Sequence, residues 1–235
     1  MGLRPVMVNF KAVDPVALGR FWAEALGWTA HHRATTYVAP GSDFVWPAPD
    51  GLGINVVPVA EGKGAGKNGV HLDLAHRDGL IDRVRDLGAT LIDVGQDDVP
   101  WTVLADPEGN EFCVLEPREI YRDTGPLAAV VADCADPVVS ARFWGAAIDW
   151  ASWRVTADIA SFRADGGPFL EFLRAPGRGG RVHLDLLPGP GDDKAAEVER
   201  LRALGATDLD VGQGAVPWTC LSDPDGLSFC VLATE

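Results

Sequence analysis

The sequence has no long apolar segment. No stretch of its 235 residues approaches the roughly 18 consecutive apolar residues from which a membrane-spanning helix is built. The opening residues, MGLRPVMV, also lack the apolar core of a signal peptide. We therefore expect a cytoplasmic protein with no membrane partner.

Basic residues are scarce relative to acidic ones. The chain has 20 Lys and Arg against 34 Asp and Glu, which gives a formal net charge of −14. A protein that binds the phosphate backbone of a nucleic acid needs a positively charged face to displace counterions. The composition therefore predicts no nucleic-acid partner.

Cysteines are few, and several familiar catalytic motifs are missing. The spacing of the four cysteines fits neither a zinc ribbon nor a disulfide framework: Cys113, Cys134, Cys220 and Cys230. The sequence has no GxGxxG, no P-loop and no GxSxG motif. Dinucleotide-binding folds, P-loop NTPases and serine hydrolases of the nucleophile-elbow type are therefore excluded.

What the sequence does have is an internal repeat. Residues 93–115 read DVGQDDVPWTVLADPEGNEFCVL, and residues 210–232 read DVGQGAVPWTCLSDPDGLSFCVL. Upstream, FWAEALGW is matched by FWGAAIDW, and VHLDL occurs twice. A repeat this long indicates two units of domain size rather than a solenoid. We predict one domain over residues 1–117, a linker over 118–126 and a second domain over 127–235.

Each half is predicted to contain two βαβββ modules. Asp14-Pro15 and Asp136-Pro137 are typical helix starts, since aspartate caps the first turn and proline fits the first helical position. A second strand–helix pair follows in each half, with helices near 78–88 and 192–205. Short strands bounded by glycine and proline complete each module. The predicted fold class is α+β, with four modules in all.

Together, the Asp-Pro helix starts, the Phe-Trp pairs, HLDL and DPEGNEFC resemble the vicinal-oxygen-chelate superfamily. That group includes glyoxalase I, bleomycin-resistance proteins, extradiol dioxygenases and fosfomycin-resistance enzymes. The resemblance implies paired modules whose sheets curl into two open cups with the helices outside. We expect either a monomer that acts as a pseudo-dimer or a homodimer.

The resemblance implies positions for metal ligands in each cup. Carried over by position, the superfamily's ligand sites fall on Met7, Asn55, His71 and Cys113 in one half, and on Ala129, His183, Cys230 and a residue near Leu173 in the other. Only the histidines match, so we expect no cofactor and no complete classical metal site. The alternative is one divalent ion (Zn, Ni, Fe or Mn) held in one cup by His183 and Glu171 with Asp185, or by their counterparts in the first half.

Two histidine–aspartate pairs are candidate catalytic groups. His71 and Asp73, like His183 and Asp185, are two residues apart on a strand and so share one face. A carboxylate can orient an imidazole for general acid–base work. In the alternative interpretation these residues line a polar cup, and the carboxylates accept backbone or arginine hydrogen bonds.

The candidate ligand-binding residues are aromatic or polar. Trp101 and Trp218 lie in VPWT segments near the predicted cup mouth, where an indole can stack on a flat molecule. Asn9, Lys11 and Asn55 are predicted to face a cup. We therefore predict a small-molecule binding protein of the bleomycin-resistance type. The alternative is a metal-assisted lyase, isomerase or dioxygenase.

Overall fold

The computed structural model describes residues 2–44, 46, 51–96, 98–164, 166–175, 180–212 and 214–233. Module 1 consists of β1 (Arg4–Ala12), α1 (Pro15–Leu26), β2 (Thr29–His32), β3 (Thr36–Ala39) and β4 (Gly53–Pro58). Module 2 consists of β5 (Val70–Leu74), α2 (Leu80–Asp86), β6 (Thr90–Leu91), β7 (Trp101–Ala105) and β8 (Glu111–Leu115). A single 3₁₀ turn, Glu119–Tyr121, follows in the linker.

The second half repeats this order. Module 3 consists of β9 (Leu127–Cys134), α3 (Pro137–Ala147), β10 (Ala151–Val155), β11 (Ile159–Arg163) and β12 (Phe169–Arg174). Module 4 consists of β13 (Val182–Leu187), α4 (Lys194–Ala203), β14 (Thr207–Asp208), β15 (Thr219–Ser222) and β16 (Ser228–Val231). None of the helices in the described part of the chain has the length and apolar character that crossing a bilayer requires.

The Asp-Pro segments begin helices as predicted. The Asp14 carboxylate accepts hydrogen bonds from the backbone N–H groups of Val16 and Ala17, and Asp136 accepts one from Val138. Gly27 ends α1 in the left-handed region with φ 71°, a conformation that costs glycine little. Helices α2 and α4 are each about two residues shorter at both ends than the repeat predicts.

The modules pair across the two halves of the sequence. One eight-stranded sheet has the order β14-β15-β16-β13-β1-β4-β3-β2, so it joins modules 4 and 1. The other has the order β10-β11-β12-β9-β5-β8-β7-β6 and joins modules 3 and 2. The seams are the antiparallel pairs β1–β13 and β5–β9. The domain bounds 1–117 and 127–235 stay a prediction. Each half contributes one module to each sheet, so neither half corresponds to one sheet.

Modules of the same half pack through their helix-covered faces. Trp22 of α1 is fully buried, with its ring centroid 5.3 Å from that of Phe112 on β8, and its indole N–H donates to Asp106 Oδ2 at 3.2 Å. The second half repeats this contact, because the Trp144 indole donates to Asp223 at 2.9 Å. The predicted α+β fold, with four modules forming two cups and helices outside, is confirmed.

Candidate functional site

A polar row crosses the inner face of the sheet formed by modules 1 and 4, which we call the first cup. Strand register aligns five residues across β2, β3, β4, β1 and β13: His31, Tyr37, Asn55, Asn9 and His183. Since side chains alternate along a strand, their neighbours on the other face carry the apolar core under the helices. Period-two alternation thus gives this cup a polar floor.

One end of this row is a compact cluster of polar and sulfur atoms. His183 Nε2 lies 3.2 Å from Asp185 Oδ1 and 3.6 Å from Cys230 Sγ. Asn9 Nδ2 donates to the other oxygen of Asp185 at 3.2 Å, and Cys220 Sγ lies 3.2 Å from Cys230 Sγ. Burial, followed by the charge of Asp185, raises the pKa of the Cys230 thiol, so this thiol stays protonated at neutral pH.

The other end of the row meets an aromatic wall. The Tyr37 ring is edge-on to Phe44 and Trp46, with centroids 5.7 Å and 5.6 Å away. These three rings, together with His31 and Asn55, help to line a cavity of about 200 Å³. Asn9 Oδ1 and His31 Nε2 are buried atoms with no hydrogen-bond partner among the described residues. Such atoms are costly unless a ligand or water satisfies them.

The sheet formed by modules 2 and 3 carries the equivalent face, which we call the second cup. Its row consists of Ser161, Glu171, Val131 and His71. His71 Nε2 lies 3.4 Å from Asp73 Oδ1, and one ligand atom each of His71, Asp73 and Cys113 lie within 4.8 Å of one another. Each cup therefore contains a His–Asp–Cys group.

Glu171 belongs to the second cup and not beside His183. It lies on β12, whose neighbour β9 pairs with β5, the strand of His71. The expected pairing with His183 and Asp185 does not form, because modules 3 and 4 belong to different sheets. By register, Glu171 itself is the counterpart of Asn55, a position that the superfamily resemblance placed near Leu173. Burial and the nearby Asp73 carboxylate raise the pKa of Glu171 to about 7.

One residue of the linker packs into the second cup. Tyr121, from the 3₁₀ turn, packs against the fully buried Phe169 with ring centroids 5.7 Å apart, and its hydroxyl is 3.5 Å from both oxygens of Glu171. Phe169 is the register counterpart of Gly53 in the first cup. A Cβ atom on Gly53 would lie 2.5 Å from the Tyr37 ring, so the absence of a side chain there makes room for this tyrosine.

The two predicted tryptophans differ in their surroundings. Trp101 packs at the edge of the second cup beneath the Arg118 guanidinium, which lies 5.6 Å from its ring centroid. Trp218 is 38% exposed beside the first strand of the β15–β16 hairpin. The aromatic wall was missed from the sequence. Its only trace in the sequence is the rarity of tyrosine. The chain has two, Tyr37 and Tyr121, and the structure places each of them in a cup.

The chain matches a known family model over most of its length. The model of the glyoxalase-like domain matches residues 7–115 and again 129–232. No curated protein matches the sequence. Glyoxalase I from Zea mays superimposes with a TM-score of 0.68 at 15% identity, covering 98% of this chain and 92% of that one. A candidate dioxygenase from Bacillus subtilis gives 0.66 at 14%, with 98% and 84% covered. At such identities the likeness concerns the fold.

Proposed function

Because the chain belongs to the glyoxalase-like domain family, we propose that it binds a small molecule, and that the first cup is the binding site. The observation that carries the proposal is the difference between the cups. The linker's Tyr121 packs on Phe169 and occupies the second cup, whereas the first cup has a cavity of about 200 Å³ beside Tyr37. Small-molecule sites are concave and mostly apolar, with a few polar groups that orient the ligand.

The residues of the first cup supply both kinds of contact. Aromatic rings of Tyr37, Phe44 and Trp46 offer an apolar wall for a flat ligand. On the floor, Asn9 and Asn55 offer amide groups. We assign ligand contacts to His183 and Asp185 in this cup rather than to His71 and Asp73, because Tyr121 covers the latter pair's cup.

Two exposed tryptophans provide a matched test. Trp46 is 40% exposed and lines the first-cup cavity, whereas Trp153 is 58% exposed and lies beside Phe169 at the second cup. We expect Trp46→Ala to weaken binding of small aromatic compounds about tenfold or more, as measured by ligand-observed NMR. Trp153→Ala should leave their affinity unchanged. Equal effects of the two substitutions, or none from Trp46→Ala, would refute the first cup as the site.

A second candidate function uses a divalent metal in the same cup. One ligand atom each of His183, Asp185 and Cys230 lie within 4.8 Å of one another, and Asn9 donates a hydrogen bond to the carboxylate of Asp185. This nitrogen, oxygen and sulfur donor set fits zinc, with Ni, Fe or Mn as the other ions to test. When bound, such an ion supplies Lewis-acid polarisation of a substrate oxygen, as a lyase, isomerase or dioxygenase requires. Glu171 takes no part in this set.

Metal analysis separates the two candidates. Protein purified without chelator should carry close to one equivalent of metal if the second candidate holds, and His183→Ala should remove it while His71→Ala does not. Because a metal must replace the thiol proton of Cys230, metal uptake should release protons. A content below about a tenth of an equivalent would eliminate the metal-dependent function.

We also propose that the protein is a monomer. Both seams between modules, β1–β13 and β5–β9, are made within one chain, so a single copy completes both cups. Light scattering coupled to size-exclusion chromatography should give about 25 kDa. A stable dimer at micromolar concentration would contradict this.

A further inference from the structure

Two positive charges line the first cup of a strongly acidic protein. Lys11 follows Met7 and Asn9 in steps of two along β1, which sets it on the inner face, and its charge acts on the Cys230 thiol. Arg33 lies in the turn between β2 and β3 and lines the cavity, with its guanidinium 4.5 Å from the Phe44 ring centroid. The chain's net charge of −14 makes both positions notable.

Neither cation has a carboxylate partner within the described ranges of the chain. The second cup differs in this respect. There Asp133 holds the position equivalent to Lys11, two residues after the seam residue Val131, and it pairs with Lys67. The charge at this position is thus reversed between the cups, and only in the second is it neutralised by another residue of the described chain.

The two cations lie at the same end of the first cup. Lys11 pairs with Val57, the second-last residue of β4, and the neighbouring Val56 pairs with Thr36 at the start of β3. Arg33 lies in the turn just before Thr36. The acidic group of this face, Asp185, pairs with Met7, four residues away along β1, and is already bound by Asn9. A negative ligand group at the Lys11 end therefore meets two cations.

We propose that the first cup selects a planar aromatic anion, such as an arene carboxylate. The ring packs against Tyr37, Phe44 and Trp46, and the anionic group lies between Lys11 and Arg33. A charged acceptor gives charge-assisted hydrogen bonds to both cations, whereas the acceptor of a neutral ligand gives weaker ones and a cationic ligand is repelled. This inference rests on the proposed function, and it adds the charge of the ligand.

Three probes of one size and different charge test the proposal: benzoate, benzamide and benzylammonium. At low ionic strength we expect benzoate to bind about tenfold more tightly than benzamide, and benzylammonium to bind most weakly. Lys11→Met and Arg33→Met should each lower the affinity for benzoate about threefold to tenfold and leave that for benzamide unchanged. Arg33 is exposed in a turn, so its substitution tests the idea even if Lys11→Met folds poorly.

The matched control is Arg20→Met on the outer face of α1, which removes one positive charge away from the cup. It should leave the affinities of all three probes unchanged. If benzamide or benzylammonium binds as tightly as benzoate, or if Arg20→Met lowers benzoate affinity as much as the cup variants do, the charge selection is refuted while the binding function stands. If none of the probes binds, the proposed function itself is refuted.

Discussion

Replacing Glu171 with glutamine tests whether the second cup is closed over a buried carboxyl group. Burial and the adjacent Asp73 carboxylate raise the pKa of Glu171 from 4.5 to about 7. The native state therefore binds this proton more tightly than the unfolded chain does. The resulting contribution to stability is fully present below about pH 4.5 and is lost as the pH rises through about 7.

The size of the effect follows from the two pKa values. Each unit of difference between the native and unfolded pKa is worth about 1.4 kcal/mol, so the difference between 4.5 and about 7 corresponds to about 3 kcal/mol. Glutamine has the shape of the protonated acid and carries no charge. We therefore expect Glu171→Gln to raise the free energy of unfolding by up to about 3 kcal/mol near pH 8 and to change it little near pH 4.

Urea denaturation followed by tryptophan fluorescence at both pH values measures this difference. The exposed Glu116 provides the matched control, since Glu116→Gln removes the same charge without burial. Its effect should stay within about 0.5 kcal/mol at either pH. Equal stabilisation by Glu171→Gln at the two pH values, or none near pH 8, would show that the buried charge is not the cause.

Three further substitutions or measurements test the packing. Trp144→Phe leaves the buried Asp223 without its indole donor and should cost about 1–3 kcal/mol in urea denaturation, whereas no loss would contradict the role of that hydrogen bond. Gly53→Ala puts a Cβ atom 2.5 Å from the Tyr37 ring and should cost about 1–3 kcal/mol, and the same substitution should cost less in a Tyr37→Ser background, where the ring is gone. Because burial raises the pKa of the Cys230 thiol, an aromatic disulfide reagent should label it far more slowly in native than in urea-unfolded protein, and equal rates would count against that burial.

The elements were predictable because their signals are local. An aspartate cap followed by proline starts a helix wherever it occurs, and Asp14 and Asp136 both do so. The two-residue spacing of His71 and Asp73 was enough to predict that both side chains share a face. The composition of the cup floor was therefore accessible in part from the sequence.

The grouping of the site residues was not accessible in the same way. Glu171 was expected beside His183 because both lie in the second half of the chain, yet β12 joins the sheet of His71. Tyr121 lies in a segment that the sequence marks only as a linker, and its contact with Phe169 depends on where the chain passes between the sheets. Both outcomes depend on strand pairing over long separations, which local patterns do not encode.

The sequence by itself determined the repeat, the four modules, their helix starts and the alternation that gives each sheet a polar and an apolar face. Only the tertiary structure decided which modules share a sheet. The physical reason lies in the repeat, since β5 and β13 contain the same residues, VHLDL, and offer β1 the same backbone hydrogen bonds and the same apolar pattern. The structure pairs β1 with β13 and β5 with β9, a choice that these local signals leave open. It leaves one cup beside the linker and the other with its cavity.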